Sequence, residues 1–157
     1  MMNPQYAKNL TTPTGTDLDT YLPTGTGAKF NTTGYSGVYL VTHRTSESGT
    51  CTLQGFFEFL DYPSNVWYPW LDANDATQIQ TVIYADAALD TTTPFHRYTV
   101  VTTPELLDAT NANRVELINT VHKVYMAAFL PTHIRVRFRS GGTTVSNVFN
   151  ATLAGIN

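Results

Sequence analysis

The segment from Ile134 to Arg139 constrains the fold of this chain more than any other. Apolar and arginine side chains alternate along it without interruption, as Ile134-Arg135-Val136-Arg137-Phe138-Arg139. Successive side chains of a β-strand point to opposite faces, so this period of two predicts a strand with one apolar face and one arginine face. Ser140-Gly141-Gly142-Thr143 is predicted to form a turn, and residues 144–153 are predicted to return as the partner strand of a C-terminal hairpin.

Turn signals divide the chain from Gly37 onwards into short segments that favour β-structure. We predict strands over residues 37–44, 51–60, 66–70, 77–84 and 95–102. Pro69 marks the third of these as an edge strand or a strand end, because proline cannot donate a ladder hydrogen bond. Turns at intervals of about 8–12 residues between short strands are typical of a β-sandwich or a β-barrel.

Residues 103–130 are compatible with two secondary structures. Thr103-Pro104-Glu105 has the pattern of a helix start, with proline at the first helical position, and predicts one helical turn. The apolar residues further on match either a helical stripe or two strands, at residues 115–119 and 121–130. We prefer strands because the surrounding pattern is β, with Pro131 then forming a corner.

The composition agrees with an all-β domain and excludes several classes of function. Charged residues make up 13% of the chain, against about 25% in an average globular domain, while threonine is the commonest residue and tyrosine and phenylalanine number 9 and 8. Threonine and aromatic residues favour strands. A net charge of −3 argues against a nucleic-acid partner. No apolar run reaches about 18 residues, so no membrane-spanning helix is predicted.

The first 36 residues differ from the rest because threonine, glycine and proline dominate them. They predict either a disordered tail or an extended N-terminal arm (residues 1–36) that precedes a sandwich domain (residues 37–157). We prefer the arm, since large apolar residues recur along it and could be buried on a neighbouring subunit. These proposed anchors are Leu10, Leu18, Tyr21, Leu22 and Phe30.

The sequence contains no recognisable catalytic, cofactor-binding or metal-binding motif. Its four histidines (His43, His96, His122 and His133) are scattered without the spacing of metal ligands. No carboxylate pair is placed for glycosidase chemistry near the tryptophans. We therefore predict a protein that is not an enzyme and needs no cofactor.

Two sets of side chains are candidates for binding a partner. Trp67, Tyr68 and Trp70, with Tyr62, could form a sugar-stacking platform, although a core aromatic cluster is the preferred interpretation. The face formed by Arg135, Arg137 and Arg139 could bind phosphates. In an acidic protein these arginines are expected instead to pair with carboxylates on an adjacent strand or subunit.

Three short motifs together resemble small β-sandwich structural proteins of tailed bacteriophages. They are the turn Ser48-Gly49-Thr50, the aromatic segment Asn65-Val66-Trp67-Tyr68, and the strand Ile134–Phe138 with its glycine turn Gly141-Gly142-Thr143. That group includes capsid decoration (cement) proteins and related head or tail accessory proteins. The resemblance implies a jelly-roll-like antiparallel β-sandwich with an extended N-terminal arm, and an oligomeric virion protein without enzymatic activity.

The leading functional hypothesis is a decoration protein on the capsid surface. It would bind between subunits of the major capsid protein as a homotrimer, with contacts from the arm anchors and the arginine strand. A tail, neck or fibre component is an alternative with the same fold. A carbohydrate-binding module that uses Trp67, Tyr68 and Trp70 is an alternative from another class.

Overall fold

The computed structural model describes residues 5–11, 20–25, 27–47, 51–81, 95–103, 120–142 and 147–156. Within these ranges the secondary structure is all-β, as predicted, and no helix occurs. The ten strands are β1 (Gln5–Thr11), β2 (Thr20–Leu22), β3 (Phe30–Asn31), β4 (Gly37–Glu47), β5 (Cys51–Asp61), β6 (Val66–Pro69), β7 (Phe95–Val101), β8 (Thr120–Met126), β9 (His133–Gly142) and β10 (Asn147–Ile156).

The strands form two five-stranded sheets. Sheet A has the order β1-β10-β4-β7-β8. Sheet B has the order β2-β9-β5-β6, and the short β3 also pairs with β9. All pairs are antiparallel except β7 with β8, which is parallel. The two sheets are therefore antiparallel-rich, as expected, and contain one parallel pair. A parallel pair needs a connection of about a dozen residues or more, and residues 102–119 are long enough to provide it.

One hydrophobic core lies between the two sheets. Strand β9 contributes Ile134, Val136 and Phe138 from sheet B, each almost fully buried, as the period-two pattern predicts. From sheet A, the ring of Phe149 on β10 lies with its centroid 4.7 Å from that of Phe138. The two sheets thus share their apolar faces in a sandwich-like arrangement.

The predicted C-terminal hairpin does not form, although both of its strands do. β9 belongs to sheet B and β10 belongs to sheet A. Gly141 and Gly142 do not make a tight turn, because they continue the ladder opposite Thr52 and Cys51 of β5. The chain therefore crosses from one sheet to the other after β9.

A hairpin joins β5 and β6, with Asn65 at the end of the turn in a left-handed conformation (φ 55°). Pro69 ends β6, which is an edge strand of sheet B, as predicted. The strand predicted over residues 77–84 is not observed in its described part. Residues 77–81 run beside β5 and make isolated bridges at Gln78 and Gln80. Residues 82–84 lie outside the described residues.

The described residues before Gly37 are extended and pair with strands of the same chain. β1 pairs with β10, whereas β2 and β3 pair with β9. Leu22 and Phe30 are 1% and 2% exposed and belong to the shared core. We predicted that a neighbouring subunit covers these two anchors. The chain's own core covers them instead, so this prediction is corrected. The division of the chain at residue 37 stays a prediction.

Part of the ambiguous segment is described. β8 confirms the strand predicted from Val121, but it ends at Met126 and the chain bends at residues 128 and 129, short of the predicted end at Leu130. The helical turn at Pro104 and the strand at residues 115–119 lie outside the described residues.

Candidate functional site

The outer face of sheet B carries the arginines that the sequence singled out. Because Ile134, Val136 and Phe138 point into the core, the alternate residues Arg135 and Arg137 point away from it. The register places Glu58 of β5 opposite Arg135. We call Glu58, Arg135 and Arg137, with the rings of Tyr21 and Trp67, the arginine cluster.

Glu58 binds both arginines through charge-assisted hydrogen bonds. Its Oε2 accepts from Nε of Arg135, and its Oε1 accepts from Nε of Arg137, both at 2.8 Å. Nη2 of Arg135 is also 2.8 Å from Oε2. Glu58 is buried, and two guanidinium groups compensate its loss of hydration. Pairing of these arginines with a carboxylate on an adjacent strand is thus confirmed.

Aromatic rings hold Arg135 from two sides. Its guanidinium carbon lies 4.4 Å from the ring centroid of Tyr21 on β2 and 4.2 Å from that of Trp67 on β6. Cation–π contacts of this kind orient a guanidinium group and add to the ion pair. Arg135 therefore links all four strands in the main order of sheet B, from β2 to β6.

A groove of about 530 Å³ borders the cluster. Arg135 and Tyr21 line one side of it, and the loop after β2 lines the other, with Thr24, Gly25 and Gly27. Both glycines have positive φ angles, 112° and 72°, which glycine adopts without strain. We call this space the glycine groove.

The three aromatic residues proposed to bind sugar do not share a surface. Trp70 is fully buried, and its indole Nε1 donates to the carbonyl of Phe129 at 3.2 Å. Trp67 lies in the arginine cluster, with its ring against Arg135. Tyr68 is 44% exposed and packs on Phe59, with ring centroids 6.0 Å apart. Neighbouring residues of an edge strand face opposite ways, which separates Trp67 from Tyr68.

The remaining proposed contact residues have different environments. Leu10 is partly buried and packs against the core. Tyr21 is half-buried within the arginine cluster, and Arg139 is exposed at the far end of the arginine face. Leu18 lies outside the described residues.

An apolar groove at the edge of sheet B was not foreseen from the sequence. It has a volume of about 510 Å³. Tyr68, Leu71 and Phe129 are 44%, 44% and 49% exposed there. These side chains come from β6, from the loop after it and from the bend after β8, so no local pattern could bring them together. The other residues that line this apolar groove are Phe59, Pro69, Asp72, Ala73, Ala76 and Ala128.

Three groups in the described residues titrate away from their ordinary values. Burial, and then the charge of Lys29, lower the pKa of His133, whose ring packs edge-on against Tyr62. Desolvation lowers the pKa of Arg97. Hydrogen bonds from Thr77 lower the pKa of Asp75. In the part of the chain that the structure describes, no three His, Cys, Asp or Glu side chains gather as metal ligands would.

Comparisons with known proteins identify no relative. No protein-family model, curated protein or solved structure matches this chain. No helix within the described ranges is both long and apolar enough to span a bilayer.

Proposed function

We propose that this protein is a non-catalytic structural component of a tailed-phage virion, which decorates the capsid surface by binding between major capsid subunits as a homotrimer. The observation that carries this proposal is the apolar groove. Tyr68, Leu71 and Phe129 expose aromatic and aliphatic surface side by side at a sheet edge. Contiguous exposed apolar surface on a small protein marks a site of association with another protein.

A jelly-roll topology is the second part of the proposal, and the strand order supports it. Setting aside β3 and β8 leaves eight strands in chain order. Counted along the chain, the strands lie across sheet A in the order first, eighth, third and sixth. Those of sheet B lie in the order second, seventh, fourth and fifth. Two interleaved Greek keys of eight strands have this order, and viral capsid domains are among the proteins built on it. The link from fold to function is an analogy.

The proposed mechanism is differential affinity. A decoration protein that binds assembled, expanded shell more tightly than free subunits shifts the equilibrium towards the shell. The apolar groove suits this role because it would be covered only where neighbouring subunits meet. No chemical step is required.

The direct test is co-sedimentation with expanded shells of the major capsid protein from the same virus. We expect Leu71→Asp to weaken shell binding at least about tenfold, which corresponds to about 1.4 kcal/mol, because a charge would be buried in the apolar contact. Val124→Asp is the matched control, since Val124 is an exposed apolar residue on β8 in sheet A. We expect this variant to bind like the wild type.

Two outcomes would contradict the proposal. Wild-type protein that never sediments with shells excludes a decoration role. If it sediments with isolated tails instead, the alternative of a tail, neck or fibre component is favoured. Equal binding by Leu71→Asp and the wild type would exclude the apolar groove as the contact.

A further inference from the structure

Sheet B carries an excess of positive charge. Within the described ranges, its strands contain three arginines, all on β9, and two carboxylates, both on β5. Lys29, one residue before β3, is exposed and adds a fourth positive charge. The whole chain, by contrast, has a net charge of −3. We call Lys29, Arg135, Arg137 and Arg139 the basic face.

The cations of the basic face follow one line along β9. Alternate residues of a strand lie on the same face about 7 Å apart, so the three arginines span about 14 Å. His133 precedes them on this face, and its ring packs edge-on against Tyr62. Nζ of Lys29 lies 4.8 Å from the centroid of the same Tyr62 ring and extends the line. An extended peptide presents its alternate side chains at the same spacing.

Aromatic rings hold two of the arginines in place before any partner binds. Tyr21 and Trp67 contact the guanidinium group of Arg135 from two sides. The guanidinium carbon of Arg137 lies 5.1 Å from the ring centroid of Phe56. A partner would therefore have to order little of these long side chains, so less conformational entropy would be lost on binding. Arginine, tyrosine and tryptophan are also the residues that dominate the energetics of protein–protein interfaces.

The surroundings of the arginines favour carboxylates of a protein over a nucleic acid. Glu58 shows that a carboxylate can bind Arg135 and Arg137 at once, through hydrogen bonds of 2.8 Å. Single-stranded nucleic acids stack their bases on aromatic rings, but Tyr21 and Trp67 are already stacked on Arg135. A long polyanion would also extend beyond the basic face over a chain of negative net charge, which repels it.

We propose that the basic face docks an acidic segment of a partner protein, whose aspartate or glutamate side chains pair with its cations. Charge complementarity of this kind fixes the partner's orientation and raises its rate of association. The inference extends the proposed function, because it adds an electrostatic contact to the apolar groove. Its test uses no shells, so a failure here leaves the decoration role standing, and the reverse also holds.

The test is fluorescence anisotropy of a hexaglutamate peptide that carries a neutral dye. We expect saturable binding in about 50 mM salt and at least about tenfold weaker binding in about 300 mM salt, because salt screens exposed charges. Hexalysine with the same dye should not bind, and hexathymidylate should bind more weakly than hexaglutamate. Absence of hexaglutamate binding, binding that ignores salt, or tighter binding of hexathymidylate would each overturn the proposal.

Two charge reversals with the same effect on net charge test the location. Arg139 is exposed at one end of the basic face, whereas Lys123 is exposed on β8 of sheet A. We expect Arg139→Glu to weaken hexaglutamate binding at least about tenfold, and Lys123→Glu to stay within about twofold of the wild type. Arg139→Lys keeps the charge and should stay within about threefold. Equal losses in the two reversals would show that net charge alone attracts the peptide.

Lys29→Glu tests the other end of the line. We expect it to weaken hexaglutamate binding at least about threefold, since Lys29 is exposed there. Far-UV circular dichroism checks the folding of each variant before titration. If Arg139→Glu is unfolded, the comparison of Lys29→Glu with Lys123→Glu decides the question. Undiminished binding by Lys29→Glu and Arg139→Glu would show that the peptide binds elsewhere.

Discussion

At the scale of single residues, Glu58 is the buried carboxylate at the centre of the arginine cluster. A buried carboxylate is unfavourable unless its charge is compensated. Here Arg135 and Arg137 each supply a hydrogen bond of 2.8 Å, one to each carboxylate oxygen. Removing one member of such a group leaves its partners desolvated and uncompensated, which costs more than the original interaction contributes.

We therefore expect Glu58→Gln to lower the free energy of unfolding by about 2 kcal/mol. This lies between the cost of breaking a fully buried pair and that of an exposed one, because both arginines remain partly hydrated. Asp61→Asn is the control on the same strand, since Asp61 bonds only locally to Ser64. Urea unfolding measures the free energy of unfolding of both variants. Equal, small losses in the two variants would mean that the cluster is electrostatically unimportant.

His133 makes stability depend on pH. Its pKa is lowered in the folded protein, first by burial and then by Lys29, so the unfolded chain binds the proton more readily. The free energy of unfolding must then fall as the pH drops through about 6.5, and the loss is complete below the folded pKa. We expect His133→Gln to flatten this fall between pH 7 and pH 5. Lys29→Gln should reduce it in part, and an unchanged slope in His133→Gln would contradict the assignment.

At the scale of elements, the short strands β2 and β3 contribute more to the core than their lengths indicate. Each has at most three residues, and both pair with β9. Leu22 and Phe30 enter the core between the sheets. The ring of Phe30 also stacks on Tyr35, with centroids 6.2 Å apart. These strands therefore close one edge of sheet B.

We expect Phe30→Ala to destabilise the protein by about 3–5 kcal/mol, because it leaves a cavity in the core. Tyr6→Ala on β1 is the control, and it should cost under about 0.5 kcal/mol, since Tyr6 is 63% exposed. Thermal and urea unfolding measure the stability of both variants.

Deletion of residues 2–30 should prevent folding, because it removes Leu22 and Phe30 from the core. If residues 1–36 were a separate arm, the remaining chain would still fold. A truncated chain that folds as a monomer would support the prediction of a separate N-terminal arm.

At the scale of the whole molecule, neither sheet has a core of its own. The buried residues of both sheets form one cluster, and Phe138 and Phe149 meet across it. Taken in chain order, the ten described strands change sheet six times, at β1–β2, β3–β4, β4–β5, β6–β7, β8–β9 and β9–β10. Loss of one sheet would expose the apolar face of the other, so the two must be lost together.

We therefore expect a single cooperative unfolding transition. In a Trp67→Phe background, fluorescence reports on Trp70, which is fully buried against Phe57. The midpoint of the fluorescence change in urea should coincide with the midpoint of the far-UV circular dichroism change, which reports on the strands. Separate midpoints for the two signals would mean that the sheets unfold independently.

The sequence by itself determined the all-β class, the strands β4 to β7 and β9 to within a few residues, and the inward face of β9. The alternation from Ile134 to Arg139 predicted the buried and exposed faces of β9, and Pro69 predicted the end of an edge strand. These properties are local, since the pleat of one strand sets them. The partner type of the arginines also followed, because an arginine face in an acidic chain needs carboxylates.

Only the tertiary structure decided which strands are neighbours. β9 and β10 have the local pattern of a hairpin, yet they lie in different sheets, where β9 pairs with β2, β3 and β5 and β10 pairs with β1 and β4. That pairing brings Glu58 to Arg135, sends Leu22 and Phe30 into the core, and gathers Tyr68, Leu71 and Phe129 into one groove. Strand order depends on contacts between residues far apart in the chain. The alternation of apolar and polar residues along one strand and the residues of its turns do not encode that order.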